Sequence, residues 1–121
     1  MLRNPLREKL ASGSRVLGTW CIIPSPTVID IACASGLDFV IIDMEHGAIG
    51  FETAQNMVFA AESRGVSAAL RVGGAIEAEI LRALEIGVHA IHIPNVTTLG
   101  QVKEIVSYSK YPPVGRRGFS P

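Results

Sequence analysis

The strongest constraint on the fold is a punctuation that recurs three times: a helical stretch, a glycine, an apolar residue, a polar residue, then a short β-rich run. The copies are Gly36-Leu37-Asp38 before Phe39-Val40-Ile41-Ile42, Gly65-Val66-Ser67 before Ala68-Ala69-Leu70-Arg71-Val72, and Gly87-Val88-His89 before Ala90-Ile91-His92-Ile93. Each glycine falls where the end of a helix needs a left-handed residue, so it stops one helix and turns the chain back into a sheet. With a first strand over residues 16–22, four strands are expected.

The intervening segments read as helices on separate grounds. Ser25-Pro26 is an N-cap followed by proline at the first helical position, and Val28, Ile29, Ala32 and Cys33 then share one face. Phe51, Ala54, Met57, Val58 and Ala61 repeat the spacing up to Gly65, as do Ile76, Ile80, Leu81 and Leu84 up to Gly87. Thr98 with Gln101 forms a capping box ahead of Val102, Ile105 and Val106. The strands are continuous apolar runs, the pattern of parallel strands covered on both faces, and short strand–helix connections force parallel pairing through right-handed crossovers.

The class is therefore α/β, a single domain over residues 1–121. Strand starts near residues 16, 38, 67 and 88 have the spacing of four βα units of a (β/α)8 barrel, a half-barrel, since a full barrel takes about 250 residues. A small open doubly wound sheet is the alternative. An apolar fraction of 48% suffices for a core and excludes disorder. Eleven basic against eleven acidic residues give no net charge, which argues against a nucleic-acid or anionic-membrane partner. No apolar run approaches the ~18 residues of a membrane span, and Met1-Leu2-Arg3-Asn4-Pro5 does not lead into a signal-type stretch; a cytoplasmic protein is expected. Cys21 and Cys33 fit no disulfide framework and read as small buried hydrophobes.

In either parallel architecture ligands bind at the C-terminal ends of the strands. There the sequence turns polar: Trp20 to Ser25, Asp43-Met44-Glu45-His46-Gly47, Arg71-Val72-Gly73-Gly74 and Pro94-Asn95. A histidine beside carboxylates suits a general base, although a salt-bridged turn would use the same residues. Arg71 closes an apolar strand and needs an anion, either Asp43 or Glu45 as an ion pair or a substrate carboxylate or enolate. Gly73-Gly74 before a helix is a tight turn or a weak phosphate cradle. His89 and His92 point to opposite faces of a strand and are not a ligand pair. Trp20 is core or pocket wall. Tyr111-Pro112-Pro113-Val114-Gly115-Arg116-Arg117-Gly118 is a rigid loop whose arginines are either solvated or reach the rim.

These residues resemble the HpcH/HpaI aldolase family. The matching pieces are Gly18-Thr19-Trp20, Gly36 through Gly47, Leu70-Arg71-Val72, Leu84-Glu85-Ile86-Gly87, Ile93-Pro94-Asn95-Val96 and the loop from Tyr111 to Gly118. The resemblance implies a (β/α)8 barrel that cleaves 4-hydroxy-2-oxoacids to pyruvate and an aldehyde, with a divalent Mg, Mn or Co ion as Lewis acid. It implies His46 as the base for the 4-hydroxyl and Arg71 as the group stabilising charge on the pyruvyl oxygen. Glu85 stands where the family has an aspartate that raises the basicity of the histidine. Asp43 and Glu45 would support the site, and Trp20 with Arg71 would contact substrate. The family's metal carboxylates fall beyond the equivalent of Pro121, so the chain is expected to be an N-terminal half that binds no metal alone. Unpaired sheet edges would then make it a homo-oligomer or dependent on a partner. A non-catalytic half-barrel and a small-anion binding module at Arg71 and Gly73-Gly74 are the competing functions.

Overall fold

The computed structural model describes residues 3–120 and contains four strands and five helices in the order α1 (Pro5–Ala11), β1 (Gly18–Cys21), α2 (Pro26–Ala34), β2 (Phe39–Asp43), α3 (Phe51–Ser63), β3 (Ser67–Arg71), α4 (Glu77–Glu85), β4 (Ala90–His92) and α5 (Leu99–Ser109). The strands form one fully parallel sheet in the order β1-β2-β3-β4. Gly36, Gly65 and Gly87 have φ of 91°, 69° and 88°, the left-handed conformation that ends α2, α3 and α4. Ser25 accepts the Val28 N–H, and Thr98 and Gln101 complete the capping box of α5.

Consecutive strand order decides the architecture. A doubly wound sheet reverses direction so that its helices fall on both faces; three right-handed crossovers taken in one direction put α2, α3 and α4 on the same face. The open doubly wound alternative is therefore excluded, and the chain has four βα units of the (β/α)8 type. The residues that register together show which face is covered. Cys21, Val40, Ile42, Ala68 and Leu70 are buried with Ile29, Cys33, Ala54, Met57, Val58, Ala61 and Ala83 from the helices. The opposite face carries Trp20, Phe39, Ile41, Asp43, Ala69, Arg71 and His92, and Trp20 is 47% exposed. Both faces are apolar, as the continuous runs suggested, but helices cover only one. The surface of 7392 Å² is about 1,100 Å² more than area scaling gives for a compact chain of this mass, as a bare sheet face requires.

One helix has no counterpart among the expected elements: α1 is seven residues long and buries none of them. It is held by tertiary bonds instead: Asn4 caps it through Arg7 N–H at 3.0 Å and donates to the His89 carbonyl at 2.7 Å, while Leu6 N–H reaches Ser67 Oγ at 3.2 Å. These bonds lay α1 across the N-terminal edge of β3 and β4, opposite the rim. Cys21 and Cys33 are free thiols buried in the core, where desolvation pushes the Cys33 thiol above its usual range. Among the described residues no helix is long and apolar enough to cross a membrane.

Two outcomes follow from this packing. Leu70→Ala removes a fully buried side chain and should lower the unfolding free energy by about 2–5 kcal/mol, whereas Leu99→Ala, 69% exposed, should change it by no more than about 0.5 kcal/mol. Urea titration of the two variants checks the contrast. The second concerns acid. Asp38 accepts from Lys9 and from Leu17 N–H, and Asp30 is paired with Arg64; these bonds hold both carboxyls below the usual range. A depressed carboxyl contributes stability above its unfolded pKa of about 3.9 and loses it as pH falls through the folded value. The urea midpoint should therefore be flat from neutral pH to about pH 5 and fall below about pH 4, less steeply in Asp38→Asn.

Candidate active site

The C-terminal ends of β2, β3 and β4 meet at one carboxylate. Asp43 is the last residue of β2, and its side chain is 2% exposed. Asp43 Oδ1 accepts the Glu45 N–H at 3.0 Å, the His46 N–H at 3.2 Å and Arg71 Nε–H at 2.8 Å, and Oδ2 accepts from Arg71 Nη2. The Arg71 guanidinium, foremost among these donors, holds the Asp43 carboxyl below the usual range, and the carboxylate raises the guanidinium in return. One buried anion thus folds the turn after β2 and fixes the plane of the Arg71 fork.

Gly47 closes that turn through its N–H to the Asp43 carbonyl at 3.2 Å. A Cβ there would collide with the same carbonyl oxygen and lie 2.9 Å from that of Ile22, so only glycine lets the turn lie against the segment after β1. The turn sends Glu45 and His46 over the rim. Glu45 Oε2 is 3.2 Å from Arg71 Nη1 and 3.7 Å from His46 Nε2, so one oxygen lies between the guanidinium and the imidazole. Its Oε1 accepts from Asn95 Nδ2 at 3.2 Å. The imidazole remains open, with 68% of its side chain exposed. Trp20 lies against the other side of the cation, its ring centre 4.4 Å from Arg71 Cζ, and His92 tilts against Trp20 at 5.5 Å.

Five of the six site residues expected from the sequence, Trp20, Asp43, Glu45, His46 and Arg71, therefore gather in one constellation. Glu85 does not join them. α4 runs from the rim back to the opposite edge of the sheet, and Glu85 at its end accepts from Arg117 Nη2 at 2.7 Å; the carboxylate beside His46 within this chain is Glu45. Arg116 pairs with Glu77 and stacks on Tyr108, so both arginines of the loop, Arg116 and Arg117, are tied to carboxylates of α4. Gly73 N–H is taken by Glu79 Oε2 at 3.0 Å, which makes Gly73-Gly74 a closed turn. Asn95 was visible only as a polar residue after β4; its contact with Glu45 spans 50 positions and leaves no local signal.

Among the described residues no three His, Cys, Asp or Glu side chains are placed to hold a metal ion. The oxygens of Asp43 and Glu45 are committed to Arg71, Asn95 and the turn's own N–H groups, so the rim of this chain does not fit a divalent cation by itself.

Comparison with known proteins agrees with this fold. A model of the HpcH/HpaI aldolase/citrate lyase family matches residues 17–120. The chain is 31% identical over 118 residues to the 2-keto-3-deoxy-L-rhamnonate aldolase of Salmonella gallinarum, an alignment covering 98% of this chain and 44% of that protein. The crystal structure of the citrate synthase SbnG superposes with a TM-score of 0.92 at 37% identity, covering 97% of this chain and 48% of the other. The HpcH/HpaI aldolase of Desulfitobacterium hafniense superposes with a TM-score of 0.89 at 34% identity, covering 98% and 46%. The chain spans less than half the length of these relatives. On the match of sequence and the superposition of fold together, it belongs to the HpcH/HpaI aldolase/citrate lyase family.

Proposed function

We propose that this chain forms the proton-transfer and charge-stabilising part of a metal-dependent pyruvate aldolase, a lyase that cleaves 4-hydroxy-2-oxoacids to pyruvate and an aldehyde. The observation that carries the reading is the single oxygen Glu45 Oε2 between His46 Nε2 and Arg71 Nη1, which places a proton acceptor and a fixed cation side by side at the rim. In the cleavage direction neutral His46 takes the proton of the C4 hydroxyl. The electron pair becomes the aldehyde carbonyl, the C3–C4 bond breaks, and charge collects on the 2-oxo oxygen. Two of the five Arg71 N–H donors are tied to Asp43, so the fork is oriented and still has donors for that oxygen. Protonation at C3 yields pyruvate. Trp20 walls the fork and limits where the keto acid can lie.

Charge supports the metal dependence. Asp43 and Glu45 outnumber Arg71, so with neutral His46 the rim carries a net negative charge towards an anionic keto acid. A divalent cation would offset that repulsion and polarise the ketone as a Lewis acid. Its ligands are not among the rim residues of this chain, and the roles of His46 and Arg71 stand on their own contacts.

The test is pyruvate release from a 4-hydroxy-2-oxoacid with Mn²⁺ by this chain paired with the metal-binding half of a family aldolase, together with calorimetric titration of oxalate as an enolate mimic. His46→Ala should reduce the rate about 10²–10⁴-fold while leaving oxalate binding in place. Arg71→Lys, which keeps the charge beside buried Asp43 but loses the fork, should weaken oxalate binding. Undiminished turnover in His46→Ala would overturn the assignment, and oxalate binding unchanged in Arg71→Lys would remove Arg71 from the substrate.

A further inference from the structure

Asn95 is the only non-glycine residue with positive φ among the described residues, at 57°. Asparagine tolerates this left-handed region better than most side chains, but glycine adopts it more readily still. The backbone alone does not account for asparagine here. Its side chain does a second thing: from the end of β4 it donates Nδ2–H to Glu45 Oε1 at 3.2 Å. Glu45 lies on the turn after β2 with 18% of its side chain exposed, and its strongest neighbour is the Arg71 guanidinium, on which a carboxylate without other partners would settle with both oxygens. With Oε1 drawn to Asn95, only Oε2 is left for Arg71 and His46, at 3.2 and 3.7 Å.

We propose that Asn95 is a positioning residue: by holding one oxygen of Glu45 it keeps the other within reach of the His46 imidazole. The inference rests on the reading of His46 as the base and adds a residue from β4 to it. Asn95 itself touches no reacting atom. The groups around the imidazole are Glu45 on its own turn, Asp43 at the end of β2, which accepts the His46 N–H, and Arg71 from β3, which shares Glu45 Oε2; His92 from β4 stands against Trp20. Of these, Glu45 is the only one Asn95 binds through a side-chain hydrogen bond.

The experiment is a double-mutant cycle read by the 1H–13C NMR signals of the His46 ring in the full chain at one fixed pH. Glu45→Gln should displace those signals, because it removes the carboxylate charge 3.7 Å from Nε2. In an Asn95→Gly background, which keeps the left-handed backbone and removes the amide, the same change should have less than half that effect. Asn95→Asp, which also accepts the left-handed region but repels Glu45, should give the same loss of coupling and serves if Asn95→Gly does not fold. A Glu45→Gln effect of equal size with and without the Asn95 amide overturns the proposal, as does no effect in the parent chain. Because the ring signals report the surroundings of the imidazole whether or not the protein turns over, a failure of the aldolase reading shows in the pyruvate assay and leaves this result separate.

Discussion

The interaction on which the rest of the site depends is the bidentate pair between Asp43 and Arg71. Burying a guanidinium or a carboxylate alone at the end of an apolar strand costs several kcal/mol, and each group is the other's remedy. Three further features are tied to it. The two N–H groups that Asp43 accepts from Glu45 and His46 set the turn after β2, the turn carries His46 over the rim, and the oriented guanidinium gives Glu45 and Trp20 a surface to pack on. The ion pair therefore organises the rim as much as it stabilises the sheet. It also answers a question the residues left open: Arg71 has structural anions, and two of its donors are used to orient it for whatever else it meets.

Sheet topology explains why these side chains share one end and one face. Each strand registers with the one before it, so Asp43, Arg71 and His92 fall in a row across the sheet, with Trp20 and Ile41 nearer the interior of the same face. Helices occupy the other face entirely. The two sides of the sheet differ accordingly: the side facing the helices is closed by Leu70, Ile42 and Val40, and the side facing away carries the polar cluster of Asp43, Arg71 and His92.

What was legible in the sequence was whatever is encoded by neighbours along the chain. The three glycines, the caps at Ser25 and Thr98, and the polar residues after each apolar run located the elements and brought five site residues to one rim. What escaped was encoded across the fold. α1 has seven residues and no buried side chain, and its reason for existing lies in bonds from Asn4 and Leu6 to β3 and β4. The place of Glu85 follows from the direction in which α4 runs, and its partner Arg117 is 32 positions away. Asn95 acquires meaning only once β4 is known to end beside the turn after β2. Spacing motifs report which face a residue occupies, but not which loop from another strand will lie across it.

The consecutive strand order also bears on how such a chain assembles. Paired strands lie only 21 to 28 positions apart, as with Gly18 and Phe39 or Phe39 and Ser67, so no strand waits for a distant segment before it can dock. Loop-closure entropy is met in small instalments, and each new strand–helix unit finds its template already laid down by the unit synthesised just before it. A polypeptide emerging from the ribosome could therefore lengthen this sheet in the order of translation, with the newest strand always at its growing edge.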